Sequence, residues 1–106
     1  MEMPPVVQAY FQADKGSDDQ ALAQAFAADA VVRDEGIPHE GAAAIRAWWL
    51  AAKEKYGHVA EPQESRSAHG KIHIRARVTG RFPGSPAMLD FVFTLEGGRI
   101  ARLEIG

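Results

Sequence analysis

At 106 residues the chain has the size of one domain, large enough to bury a core without staples. Its 46% hydrophobic and 25% charged residues are typical of a globular protein, and with no cysteine it can form neither disulfides, thiol nucleophiles nor thiolate metal sites. Twelve basic against fourteen acidic residues give a formal net charge of −2, which argues against a general phosphate-binding surface and against nucleic acid as a partner.

The opening residues Met1-Glu2-Met3-Pro4-Pro5 are acidic and proline-containing, unlike the basic-then-apolar pattern of a secretion signal. No apolar run approaches the roughly 20 residues that span a bilayer, so no membrane partner is expected and the default location is the cytoplasm. A first helix is predicted from about Pro5 to Lys15, with proline at its permissive start and Gly16 as its stop. Val6, Val7, Tyr10 and Phe11 make one apolar stripe on it. Ser17-Asp18-Asp19-Gln20 then reads as a capping box for a second helix ending near Ala28, with Leu22, Ala25 and Phe26 as its buried face.

A short strand follows from Ala30 to Asp34. Side chains alternate along a strand, so Ala30, Val32 and Asp34 share one face and Val31, Arg33 and Glu35 the other. Asp34 is therefore a carboxylate on the apolar side: either it sits at a pocket mouth, or the Glu35-Gly36 turn bends it away. The loop Glu35 to Glu40 leads into a third helix from about Gly41 to Tyr56, whose stripe is Ile45, Trp48 or Trp49, Ala52 and Tyr56 and whose terminator is Gly57. Trp48 and Trp49 diverge by about 100°, so one enters the core or a pocket wall and the other covers a rim or interface.

The remainder changes period. A strand between Val59 and Ala68 is limited by Pro62 to an edge or a bulge. Lys71 to Gly80 alternates, with Ile72, Ile74, Ala76 and Val78 on one face and His73, Arg75, Arg77 and Thr79 on the other. Met88 to Glu96 and Arg99 to Ile105 are two more strands, joined at Gly97-Gly98 by a tight hairpin turn. Helices first and a strand meander second imply an α+β domain, with helices on one face of a curved, mostly antiparallel sheet and a cavity between the layers. There is no internal repeat, low-complexity tract or linker, so residues 1–106 are read as a single domain. No spacing of His, Asp and Glu on one element suggests a metal site, and no cofactor is expected. His58 and His69, beside Gly57 and Gly70, read as surface residues of turns.

Two segments carry a family resemblance. Phe26-Ala27-Ala28-Asp29-Ala30-Val31-Val32-Arg33-Asp34 matches a pattern "F-A-x-D-A-x-x-x-D", and Gly41-Ala42-Ala43-Ala44-Ile45-Arg46-Ala47-Trp48-Trp49 is similar to "G-x-x-A-I-R-x-F". In this order they resemble the NTF2-like superfamily, in the group of SnoaL-like polyketide cyclases and ketosteroid isomerases, over essentially the whole chain. The resemblance implies a cone of three N-terminal helices packed on a curved sheet. Since this fold hosts isomerases, dehydratases, epoxide hydrolases, cyclases and non-catalytic modules, it leaves the activity open.

Residue by residue, the resemblance implies Asp34 as the aspartate that shuttles a proton beside a carbonyl, Tyr10 as the oxyanion donor on the first helix, and Asp90 as a second, protonated donor on a late strand; ketosteroid isomerase is the standard worked case of these roles. The chain departs from the isomerases at Trp49, which stands where they place a second tyrosine and has no hydroxyl to accept a hydrogen bond. Its Glu35 to Glu40 loop is shorter, and the longer isomerase tail is missing after Gly106. Asp90 also shares strand parity with Met88, Val92 and Thr94; if Leu89, Phe91, Phe93 and Leu95 face the helices, Asp90 points away from the pocket. His39, just before the third helix, is a candidate second acid or base at the cavity mouth, or else an exposed loop histidine. Phe26, Val32, Trp48 and Trp49 are the candidate ligand-binding residues. The expected function is binding of a small apolar or carbonyl-containing molecule, with proton transfer next to the carbonyl; the alternative is a non-catalytic ligand-binding or dimerisation module. A homodimer through the outer sheet face is expected, since apolar residues occupy both parities of the last two strands.

Overall fold

The computed structural model describes residues 2–106; Met1, part of the acidic opening noted above, lies outside them. Three helices, α1 (Pro5–Lys15), α2 (Asp19–Gln24) and α3 (Ala42–Tyr56), pack on one face of a six-stranded sheet. The strands are β1 (Phe26–Asp34), β2 (Ile37–Glu40), β3 (Val59–Ala68), β4 (Lys71–Thr79), β5 (Ala87–Glu96) and β6 (Arg99–Ile105), in the spatial order β2-β1-β6-β5-β4-β3. Every neighbouring pair is antiparallel except β1 with β6, which is parallel.

The α1 stripe buries Val7, Tyr10 and Phe11 as its spacing requires, and it also buries Asp14 one turn further on. The helical end sits at Gly16, and Ser17 takes a left-handed φ of 54°. The N-cap of α2 is therefore Asp18 rather than Ser17, its carboxylate accepting from the Ala21 N–H at 3.0 Å.

The second helix is shorter than its alanine content suggests. It stops at Gln24, and Phe26 to Ala28 are strand, because Phe26 pairs with Ile100 and the Ile100 N–H donates to the Ala25 carbonyl. Sheet pairing here overrides the weak prior of helix propensity. From Ala30 onward the expected parity holds, with Ala30 and Val32 buried and Asp34 half-buried at the end of the strand.

The segment expected as a loop, Glu35 to Glu40, is mostly strand. Glu35 and Gly36 both take positive φ, the geometry of a tight two-residue hairpin turn, and bring Ile37 opposite Asp34. Pro38 fits because β2 is an edge strand. The same turn geometry joins β3 to β4 at His69-Gly70 and β5 to β6 at Gly97-Gly98. Pro62 marks a register shift in β3, the other edge of the sheet.

The inner face of the sheet is the aromatic one. Phe91 and Phe93 from β5, Ile74, Ala76 and Val78 from β4, and Ile100 and Leu103 from β6 are buried under the helices. Tyr10 packs edge-on against Phe11, Phe26 and Phe93, with ring centroids 5.1, 5.9 and 5.5 Å away. Trp49 is the tryptophan of α3 that enters the core, at 1% exposure.

Candidate active site

Between the helices and the open end of the sheet lies a cavity of about 330 Å³. Its walls are mostly apolar, built from Val78, Leu89, Phe91 and Ile105 of the sheet and from Ala52 and Tyr56 of α3. Polar groups reach it from three places. Asp34 stands at the end of β1 with Glu35 in the turn after it, Tyr10 and Asp14 on α1, and His58 just after α3.

Asp34 is inside because of its parity with Ala30 and Val32, and the tight Glu35-Gly36 turn leaves it facing the cavity rather than bending it away. The Trp48 indole Nε1–H donates to its Oδ2 at 3.0 Å, while Oδ1 has no protein partner among the described residues. Trp48 thus lines the cavity and aims the carboxylate. His39 does not line it: paired opposite Val32 on β2, it lies beside the Trp48 indole at 5.8 Å between ring centroids.

Tyr10 is 2% exposed, and its hydroxyl makes no hydrogen bond to another protein group among the described residues, although it borders the cavity. Burial pushes the phenol well above its ordinary value, and the negative charges of Asp14 and Asp34 push it further. It therefore remains a protonated hydrogen-bond donor across the whole physiological range.

A second constellation was not visible in the sequence. Asp14, 1% exposed, accepts at Oδ1 from the Trp49 indole at 2.9 Å and from His58 Nε2 at 2.9 Å, and at Oδ2 from the Ala60 N–H at 3.1 Å. The Lys53 ammonium stands 3.4 Å from the same Oδ1 and donates to the His58 carbonyl. Burial alone would raise the Asp14 carboxyl, but the His58 hydrogen bond and charge, together with the hydrogen bonds from Trp49 and Ala60, hold it below the usual carboxylate range. His58 is accordingly not the surface residue its place beside Gly57 suggests. The available signal was Asp14 itself, a carboxylate seven residues beyond Val7 on the apolar face of α1.

Asp90 is a correction. Because Phe91 and Phe93 face the helices, Asp90 lies on the outer face, with 59% of its side chain exposed, paired with Arg75 at 3.1 Å. The whole sheet separates it from Tyr10, so it is not a second oxyanion donor for this cavity. Phe26, Val32 and Trp49, expected to touch a ligand, are core residues behind the cavity wall; Trp48 alone of the four borders the space. Among the described residues no three His, Asp or Glu side chains gather in a metal-binding cluster.

Three helices on one face of a six-stranded sheet, with an apolar cavity between the layers, make the chain an α+β cone. The profile of the SnoaL-like domain matches residues 7–103, and the chain belongs to that family. Among solved structures, a candidate polyketide cyclase from Sinorhizobium meliloti is 53% identical over 98% of this chain and 95% of its own, with a TM-score of 0.95. A protein with a ketosteroid isomerase-like fold from Catenulispora acidiphila, solved with trimethylamine, is 21% identical over 99% of this chain and 86% of its own, with a TM-score of 0.86. A cystatin-fold protein from Novosphingobium aromaticivorans is 22% identical over 100% of this chain and 98% of its own, with a TM-score of 0.81. No curated protein matches the chain significantly. No helix among the described residues is long and apolar enough to cross a membrane.

Proposed function

We propose that the chain binds a small, largely apolar carbonyl compound in this cavity and moves a proton next to the carbonyl, in a reaction of isomerase or cyclase type. The observation that carries this reading is that Asp34, with one unpartnered carboxylate oxygen, and Tyr10, with a hydroxyl held protonated, open onto the same apolar space. The Sinorhizobium relative, bearing the name of a polyketide cyclase, supports the same class of substrate. A non-catalytic module would suit a cavity filled by Trp48, Trp49 and phenylalanines; here Trp49 and Phe26 lie in the core, while Trp48, Phe82 and Phe91 line a space of about 330 Å³.

The carbonyl oxygen is placed at the Tyr10 hydroxyl and the adjacent C–H toward Asp34. Asp34 takes the proton, the bonding pair moves toward the carbonyl oxygen, and Tyr10 stabilises the enolate by a hydrogen bond strengthened in a dry site. Reprotonation at another carbon completes an isomerisation; attack on a second carbonyl completes a cyclisation. Trp48 keeps the carboxylate aimed, which is the orientation such proton transfers demand.

The test is deuterium incorporation into a panel of small ketones and enones, followed by NMR. Asp34→Asn should abolish exchange while leaving ligand affinity roughly intact, and Tyr10→Phe should lose about 10²–10³-fold. A parent protein that exchanges nothing above buffer, or an Asp34→Asn variant as fast as the parent, refutes the catalytic reading. We further propose a cytoplasmic homodimer through the outer sheet face, where Met88 is 42% exposed. Light scattering should give about twice the chain mass of 11.5 kDa, and a single-chain mass at high concentration overturns the dimer.

A further inference from the structure

We propose that His58, held by Asp14, is a second proton-transfer residue of this cavity, and that the pair directs the site toward dehydration of a β-hydroxy carbonyl compound to the conjugated enone. This rests on the reading of Asp34 and Tyr10 given above and names its substrate class.

The imidazole is fixed on several sides. Its Nε2 donates to Asp14 Oδ1 at 2.9 Å and its ring lies edge-on to the Trp49 indole at 6.4 Å, while the backbone carbonyl of His58 accepts from Lys53. With Nε2 committed to a buried carboxylate, Nδ1 is the nitrogen left for a ligand, and His58 lines the same cavity as Asp34. Asp14 itself is saturated by Trp49, His58 and Ala60, so it acts as a positioning residue and not as a base. The carboxylate that orients a histidine in a nucleophile–histidine–aspartate arrangement plays the same part.

Tyr10 lines the same cavity as the two proton-handling groups. It shares the buried face of α1 with Asp14, one turn away, and the charges of both Asp14 and Asp34 act on its phenol. A carbonyl oxygen at Tyr10 therefore shares its cavity with a carboxylate base and with an imidazole. An isomerase needs only one shuttling base, so a second proton donor is redundant for it. Loss of a β-hydroxyl is different, because hydroxide is a poor leaving group and must depart as water.

The step balances. Asp34 removes the α-proton, the C–H pair forms the carbon–carbon double bond through the enolate held by Tyr10, and the β-carbon–oxygen bond breaks. The His58 imidazolium delivers its Nδ1 proton to the departing oxygen, giving one water and one enone. Asp34 is then protonated and His58 neutral, and one proton passing between them through water restores the start.

Two probes separate the claims. The aldol adduct of benzaldehyde and acetone reports dehydration through the absorbance of benzylideneacetone, and benzylacetone, which has no hydroxyl, reports α-deuterium exchange alone by NMR. The parent should do both. His58→Gln should lose dehydration by about 10²–10⁴-fold, the usual share of a general acid, a far larger loss than it causes in exchange. His58→Ala should regain dehydration on addition of free imidazole, which a purely structural histidine would not allow. Asp34→Asn should lose both reactions. A parent that exchanges benzylacetone but does not dehydrate the adduct overturns the inference and leaves the function above standing, with no variant needed. Dehydration by His58→Gln at the parental rate, or a parallel loss of exchange and dehydration with no imidazole rescue, also overturns it. A parent that does neither removes the proposed function and this inference together.

Discussion

The substitution Asp14→Asn removes one charge and keeps the shape, at a position 1% exposed. The carboxylate accepts at both oxygens: the Trp49 indole and His58 on Oδ1, the Ala60 N–H on Oδ2, with Lys53 3.4 Å away. An amide keeps only one accepting oxygen. If that oxygen stays with Trp49 and His58, the new NH2 faces the Ala60 N–H, and two donors meet. If the amide turns over, Trp49 and His58 lose their acceptor instead. Lys53 and a protonated His58 lose their countercharge in either case. Breaking a buried pair from one side costs about 3–5 kcal/mol, because the remaining groups stay buried and uncompensated. An unfolding entropy of about 2.1 cal/mol/K per residue makes each kcal/mol worth roughly 4–5 °C in a chain of this size, so the melting temperature should fall by about 13–22 °C. Because the folded Asp14 carboxyl titrates below its unfolded value, its contribution is fully present above about pH 4 and is lost as pH falls through the lower folded value. The acid limb of the stability curve should therefore be shallower in the variant. Calorimetry from pH 2 to 7 measures both effects; a melting temperature within about 3 °C of the parent at neutral pH would refute the account of Asp14 as the buried anchor of α1.

Tyr10 titrates in the opposite sense. Its folded value is raised, so its stabilisation is complete below about pH 10 and disappears as pH climbs toward the folded value; in denaturant titrations at alkaline pH, Tyr10→Phe should lose less stability than the parent. Asp90→Ala should be nearly silent in melting and in ketone exchange, since exposed ion pairs contribute about 0–1 kcal/mol and this one is separated from the cavity by the sheet; a large loss of exchange would place Asp90 back in the site. Gly80→Ala should destabilise by roughly 1–3 kcal/mol in urea, because a Cβ there would meet the Tyr56 carbonyl at 2.8 Å and the His58 Cα at 3.2 Å, both backbone atoms; a neutral result would mean that the junction carrying His58 yields easily.

The elements that could be read from the sequence were those whose signal is local. Alternation from Ile72 to Val78 depends only on neighbours two apart, and Gly97-Gly98 is the residue pair a tight hairpin favours. The two errors of extent have one cause. Phe26 to Ala28 look helical because alanine favours a helix, and Glu35 to Glu40 reads as a loop leading into the third helix; in both places pairing decides, with Ile100 for Phe26 and with the edge of β1 for the β2 segment. Pairing partners lie far away in sequence, so no local pattern announces them.

The site divides the same way. Asp34 was legible because parity with Val32 is a local rule, and that rule applied to β5 sends Asp90 to the outer face once Phe91 and Phe93 take the inner one. The Asp14–His58 pair has no such rule behind it. Its histidine follows the C-cap Gly57, where composition suggests a solvent-exposed turn, and only the packing of α1 against the start of β3 brings it onto the carboxylate. What the sequence does hold is the anomaly on α1: a stripe of Val7, Tyr10 and Phe11 that continues into Asp14 rather than another apolar residue. A carboxylate on a buried helical stripe needs donors from elsewhere in the chain, since leaving it unpaired would cost several kcal/mol. Those donors are Trp49, His58 and Ala60, and His58 also lines the cavity.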